Sequence, residues 1–320
     1  MSEHHVPFQT VVETLLEGSE FPRRYLQHFS DLDPASLRLL MQAWPQVKPA
    51  RKRALLKQLE ATLGKDTLVS YDDLAYALLE DPESSTRRSA IRLLAECENP
   101  KLVPAYARIL ANDEDPTTRA EAATALGHFV MLGELEEIPQ KFHRQAEDAL
   151  LQAANSQPDE NVCRAAVESL GFSSRPETPT LIEAAFRRSS HAWRASALVA
   201  MGRSNDDRWQ EPVIGMLLSE NLHERLSAVQ AAGELGLDLA RPLLIRLLED
   251  EEDDDISAAA IWALSQIGGE DARTYLESLL DSTEDEAQLE FLEEALENLD
   301  FTEDLERFDL LAFDPDLDDE

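Results

Sequence analysis

Glu224-Arg225-Leu226-Ser227-Ala228-Val229-Gln230-Ala231-Ala232-Gly233 decides the fold, because its register Arg-x-x-Ala-x-x-x-x-Gly returns along the chain. The last position falls on Ala95, Gly127, Gly171, Gly202, Gly233 and Ser265, at intervals of 32, 44, 31, 31 and 32 residues. Five residues earlier stands alanine every time, at Ala90, Ala122, Ala166, Ala197, Ala228 and Ala260. A fixed period of this size with a constant small residue marks stacked helical units, each burying its neighbour's apolar face. The alanine has a packing reason, since helix axes about 8–10 Å apart leave room only for small side chains at the crossing. The expectation is an all-α, right-handed α-solenoid of roughly eight helix pairs.

Three regions follow from the period: a divergent helical cap over 1–68, the repeats over 69–300, and an acidic, apolar-interleaved tail over 301–320. The cap breaks at Gly18, Pro22, Pro34 and the Pro45–Pro49 stretch, and its last two segments already resemble a divergent repeat. Its basic cluster Arg51, Lys52, Arg53 and Lys57 reads as a solvated helix face, with docking of the acidic tail or of an acidic partner as the alternative. Each later unit is a first helix, a polar turn and a second helix carrying the register. Asp81, Asp159, Asn221 and Asp254 sit in turns where a side chain can accept from the amides that open the next helix. Gly236 and Gly268 are candidates for left-handed helix closure. The 44-residue interval carries extra residues over 129–146, and two readings stand: a loop emerging on one face, or an extension of the helices. In the tail, Phe308 and Leu311 either cap the last repeat or belong to a segment that orders on a partner.

The net charge is −35, and its distribution is uneven. Residues 1–68 carry 9 basic and 8 acidic side chains, the remainder 20 and 56, and no lysine follows Lys141. A surface of this sign gains nothing from counterion release, so nucleic acid is excluded as the expected partner. No long apolar run and no basic-then-apolar leader appears, so neither a membrane partner nor export is expected and the chain is placed in the cytoplasm. Cys97 and Cys163 lack metal or redox spacing and read as buried thiols.

The Arg position holds Arg87, Arg119, Cys163, Arg194, Arg225 and Ser257. Arg87, Arg119, Arg194 and Arg225 are read as a structural ladder, a guanidinium bridging acidic turn residues such as Asp115 between repeats. No nucleotide loop, no Gly-x-Ser-x-Gly elbow and no His-Glu-x-x-His pair is present. The seven histidines have no ligand spacing, and the acidic run Glu249–Asp255 lacks the alternation of a calcium loop. The expectation is therefore a non-enzyme, with no catalytic residue, cofactor or metal.

The register resembles HEAT-type repeats in their short bacterial form, including the phycobilisome-lyase-type variant, over about 71–299. Thr118-Arg119-Ala120-Glu121-Ala122-Ala123-Thr124-Ala125-Leu126-Gly127 and the stretch quoted above carry the likeness. The segments Ser30-Asp31-Leu32-Asp33-Pro34, Ala43-Trp44-Pro45 and Ala200-Met201-Gly202-Arg203-Ser204 also resemble a bacterial HEAT-repeat group that brings no activity with it. The resemblance implies that the second helix of each pair lines the concave face. Three residues before the Gly position, an outward row then reads Arg92, Thr124, Glu168, Val199, Gln230 and Trp262. A neighbouring row reads Arg88, Ala120, Arg164, Ala195, Leu226 and Ala258, so the groove turns apolar toward its C-terminal half. Leu226, Trp262, Val199, Glu168 and Gln230 are the candidate contacts for a protein partner of basic or mixed surface, with Trp262 either presented outward or folded onto the next helix. Trp193, Trp44 and Trp209 are assigned to the core. The functional expectation is a protein-binding scaffold of open oligomeric state. The alternative that the resemblance implies is a chromophore lyase or accessory chaperone of the phycobilisome type.

Overall fold

The computed structural model of the protein describes residues 6–17, 21–66 and 68–312, with side chains described through 304. Phe308 and Leu311 therefore lie outside the described side chains. Among the described residues there is no strand, and none of the helices is long and apolar enough to cross a membrane. The fold is an all-α solenoid of helix pairs.

Two compact units divide between Ala166 and Val167. Unit 1 opens with α1 (Phe8–Leu16) and a 3₁₀ segment (Arg23–Phe29). It continues through α2 (Pro34–Ala43), α3 (Pro49–Leu63), α4 (Asp72–Leu78), α5 (Ser84–Leu93), α6 (Leu102–Asn112), α7 (Pro116–Glu134) and α8 (Gln140–Ser156). The division falls inside α9 (Glu160–Leu170). Unit 2 follows with α10 (Thr178–Phe186), α11 (His191–Arg203), α12 (Gln210–Met216), α13 (Leu222–Glu234), α14 (Arg241–Asp250), α15 (Asp254–Ile267), α16 (Glu270–Ser282) and α17 (Glu286–Ala312). Counting α2 with α3 as the first, the described helices form eight pairs.

Second helices pack side by side: α3, α5 and α7 in unit 1, and α11, α13, α15 and α17 in unit 2. All six register alanines are fully buried. The glycines are a second condition of this packing. A Cβ on Gly171, Gly202 or Gly233 would come within 2.8, 2.9 and 2.8 Å of the Cα of Ala200, Ala231 and Ala263 in the neighbouring second helix. Trp44, Trp193 and Trp209 are buried, as the period places them.

Turn chemistry sets the helix starts. Asp33, Asp115, Asn221 and Asp253 accept from the first amides of α2, α7, α13 and α15, and Asp159 does the same at α9. In the α14–α15 pair the cap is thus Asp253, one residue before the aspartate singled out from the sequence. Closure uses the position three past the Gly: Asn205, Gly236 and Gly268 have φ of 46°, 59° and 71°. The 129–146 excursion is absorbed by helix, since α7 runs to Glu134 and α8 starts at Gln140. The helix α17 likewise runs unbroken across residue 300, where the acidic tail begins in the sequence.

Candidate functional site

The turn edge of the repeats carries a hydrogen-bond ladder. Five of the six register side chains reach the carbonyl six residues upstream: Arg87 to Asp81, Arg119 to Asp113, Arg194 to Arg188 and Arg225 to Ser219, with Cys163 Sγ at 3.2 Å from the Gln157 oxygen. Three of these arginines also reach across to the next repeat. Arg87 grips the Asp113 carboxylate through two bonds of 2.6 and 2.8 Å, and Arg225 grips Glu251 at 2.8 and 3.1 Å. Arg194 donates to Glu224 at 2.5 Å. Hydrogen bonding to Asp113 outweighs burial and pushes the Arg87 guanidinium further up from its ordinary range.

For Arg87 and Arg225 the acceptor is the acid two residues before the next helix cap, whereas Glu224, the acceptor of Arg194, lies in the first turn of α13, three residues after the cap Asn221. Asp115 instead caps α7 and lies 3.4 Å from Arg88. The same device starts in the cap region, where Lys52 donates to Asp81 at 3.2 Å and Trp44 Nε1 donates to it at 2.6 Å. Lys52 is 4% exposed, so it is not part of a solvated basic face. Arg51 too is engaged, donating to the carbonyls of Leu15 and Glu17. Lys52 stands in the register position of α3, with Leu55 where later repeats hold alanine; that substitution hid the repeat.

Three donors converge on Glu224. It is 2% exposed and accepts from Arg194, from His191 Nδ1 at 2.9 Å and from Ser219 Oγ at 2.7 Å. Burial pushes its carboxyl up, but the bonds from Ser219, His191 and Arg194 together hold it below the usual glutamate range.

On the second-helix face of unit 2 is a hollow of about 730 Å³. Glu168, Val199, Leu226, Gln230 and Trp262 all line it, so the face of α9, α11, α13 and α15 brings the five sequence-chosen residues together. Trp262 stacks on Phe291 of α17 with ring centroids 6.4 Å apart, yet 38% of it stays exposed. It folds onto the next helix and faces solvent at once. The sequence reading missed the residues that follow each Gly: Arg203, Glu234 and Gln266 form a polar strip across the hollow. Arg203 donates to the Glu168 carbonyl at 3.0 Å and lies 5.0 Å over the Phe172 ring. Glu234 is folded against Gly202, where a Cβ would overlap its carboxylate. Its outer edge reaches water, but crowding in the hollow desolvates the carboxyl and pushes its pKa up, against the pull of Arg203. The signal for this strip was its own 31–32-residue recurrence beside the glycines.

Unit 1 fills the same outward positions differently. Arg92 donates to Glu121 on the next second helix at 3.1 and 3.2 Å and lies 3.9 Å from Glu60, while Thr124 is exposed. The fold also gathers Glu134, His143 and Glu147 where α7 meets α8, a grouping that the histidine spacing did not reveal.

The family model of HEAT repeats matches residues 71–140, 178–260 and 217–297. The chain belongs to the HEAT-repeat family. Among curated proteins none matches it by sequence. Solved structures similar to this HEAT-repeat chain include the CpcE–CpcF complex of phycocyanin lyase from Nostoc sp. PCC7120, at 19% identity over 71% of this chain and 94% of that one, TM-score 0.48. Yeast importin-beta (Kap95p) is similar at 12% identity over 91% of this chain and 46% of its own, TM-score 0.49. E. coli YibA is similar at 15% identity over 89% and 98%, TM-score 0.44.

Proposed function

We infer that this HEAT-repeat protein is a non-catalytic scaffold that takes a segment of a partner protein into the hollow of unit 2. The observation that carries this reading is the pairing of an exposed aromatic platform, Trp262 on Phe291, with apolar Leu226 and Val199 inside a rim of Glu168, Glu234 and Asp255. A partially exposed tryptophan among small and aliphatic neighbours is the composition of an interaction anchor. The carboxylates favour a segment that flanks an apolar anchor with lysine or arginine, and speed its approach at low salt. The volume is that of a site for a few side chains rather than a whole domain.

The test is affinity capture from the native cell at low and high salt, with wild type beside the double variant Leu226→Glu, Trp262→Ala. A partner that is lost in the variant and weakened at high salt supports the hollow as the binding site. A partner retained in the variant removes the assignment; a coloured, pigment-bearing species in the wild-type eluate would move the reading to the lyase or chaperone class.

A further inference from the structure

The 44-residue interval does more than lengthen two helices. After α7 closes, with Glu136 in the left-handed region at φ 61° and Glu137 N–H donating to the Leu132 carbonyl at 2.8 Å, the chain reverses into α8. The reversal sets Glu134, at the end of α7, against His143 and Glu147, which are four residues apart on one face of α8. One ligand atom from each lies within 4.8 Å of the others. The imidazole Nε2 stands 3.5 Å from a Glu134 oxygen and 3.7 Å from a Glu147 oxygen.

Those separations do not suit hydrogen bonds, which bring nitrogen and oxygen to about 2.7–3.2 Å. His143 Nε2 is shielded from solvent and makes no hydrogen bond. The separations lie near those of coordination, where a tetrahedral shell with bonds of about 2.0–2.2 Å spaces its ligand atoms about 3.3–3.6 Å apart: the Glu134 oxygen at 3.5 Å falls within that range and the Glu147 oxygen at 3.7 Å just beyond it. The ring is also held in place. A Cβ on Gly133 would overlap the His143 ring and come within 2.6 Å of His143 Cβ, so glycine is the residue that lets α7 approach it. Glu147 is 3% exposed, which gives the centre a dry wall.

We propose that Glu134, His143 and Glu147 form a binding site for one divalent transition-metal ion of the zinc class, clipping the turn between α7 and α8. One imidazole and two carboxylates are ligands that zinc accepts, and three protein ligands leave a fourth position for water. The ion would lock the connection that the longer repeat introduces, in the way that a metal restricts the opening of a loop.

The experiment is titration of the full chain with Zn²⁺ in excess Mg²⁺, which occupies the many exposed carboxylates, followed by visible absorption of the Co²⁺-loaded protein. Wild type should bind one ion per chain with the intense visible bands of four-coordinate Co²⁺. Affinity should fall at least tenfold in His143→Ala and in Glu134→Gln, a milder change at a half-exposed helix end that guards against misfolding. Gly133→Ala, which removes no ligand, should also weaken binding by displacing the ring. Zinc affinity equal in wild type and His143→Ala, or Co²⁺ bands unchanged by that substitution, would overturn the site.

Discussion

The second-helix faces of the two units use the same register positions for opposite ends. In unit 1, Arg92 is bonded to Glu121 and Arg88 lies against Asp115, so the outward charges are satisfied by neighbouring repeats. In unit 2, Val199, Leu226 and Trp262 stand at equivalent places around a hollow and leave apolar surface open. The backbone arrangement is common to both, since buried alanines and the turn-edge ladder recur in each. The period therefore chooses which residues face outward, and residue chemistry alone decides whether a face is closed by its own ion pairs or left for a partner.

The largest effects should come from what the units share. Arg87→Ala in unit 1 leaves the Asp113 carboxylate, 2% exposed, without its cation, and Arg225→Ala does the same to Glu251 in unit 2. Each should cost about 3 kcal/mol in denaturant unfolding, because a buried charge is stranded. Arg119→Ala, whose donor meets only turn carbonyls, should cost about 1 kcal/mol. Equal losses for all three would show that the inter-repeat carboxylates contribute nothing.

Next comes the close helix contact. Gly233→Ala forces a Cβ toward the Ala263 backbone and should cost about 1–3 kcal/mol through overpacking. Ala95 in unit 1 already carries a Cβ at that register position and is exposed, so Ala95→Ser should change the unfolding free energy by less than about 0.5 kcal/mol. A silent Gly233→Ala would mean that the glycine is not there for packing.

Two carboxylates of unit 2 should respond to pH in opposite directions. Glu224 titrates below the ordinary glutamate value of 4.5 when folded, so the folded state binds its proton less readily than the unfolded chain. Its contribution is full above that value and is lost as pH falls through the lower folded one. Glu224→Gln should thus destabilise by about 1–2 kcal/mol at pH 7 and by progressively less in acid melts. Glu234 is raised, so its ionisation above 4.5 opposes folding. Glu234→Gln should stabilise by about 0.5 kcal/mol or less at pH 7, since water still screens it, and by nothing at pH 3. The reverse order would place the desolvated carboxylate on the wrong residue.

Much of this was legible in the sequence. The helix pairs, the buried alanines and the five residues around the hollow follow from the period, because packing constrains small and outward positions at a fixed spacing. The ladder's acceptors were hidden for a physical reason: Asp113 and Glu251 lie 26 residues from their arginines, and a run of acids such as Glu251-Glu252-Asp253 does not show which one turns inward. Lys52 was misread as solvated because Leu55 replaces the marker alanine. The grouping of Glu134 with His143 depends on where α7 stops, and a left-handed glutamate at 136 gives no composition signal for that stop.

The comparison is tested most directly by a photo-crosslinking amino acid placed one at a time at Gln230 in unit 2 and at its register equivalent Thr124 in unit 1, both exposed. Irradiated in a lysate of the native cell, the Gln230 position should yield a discrete adduct, in lower amount when irradiation is done at high salt, and the Thr124 position should yield none. An adduct formed from Thr124 alone, or equally from both, would contradict a partner site confined to the open face of unit 2.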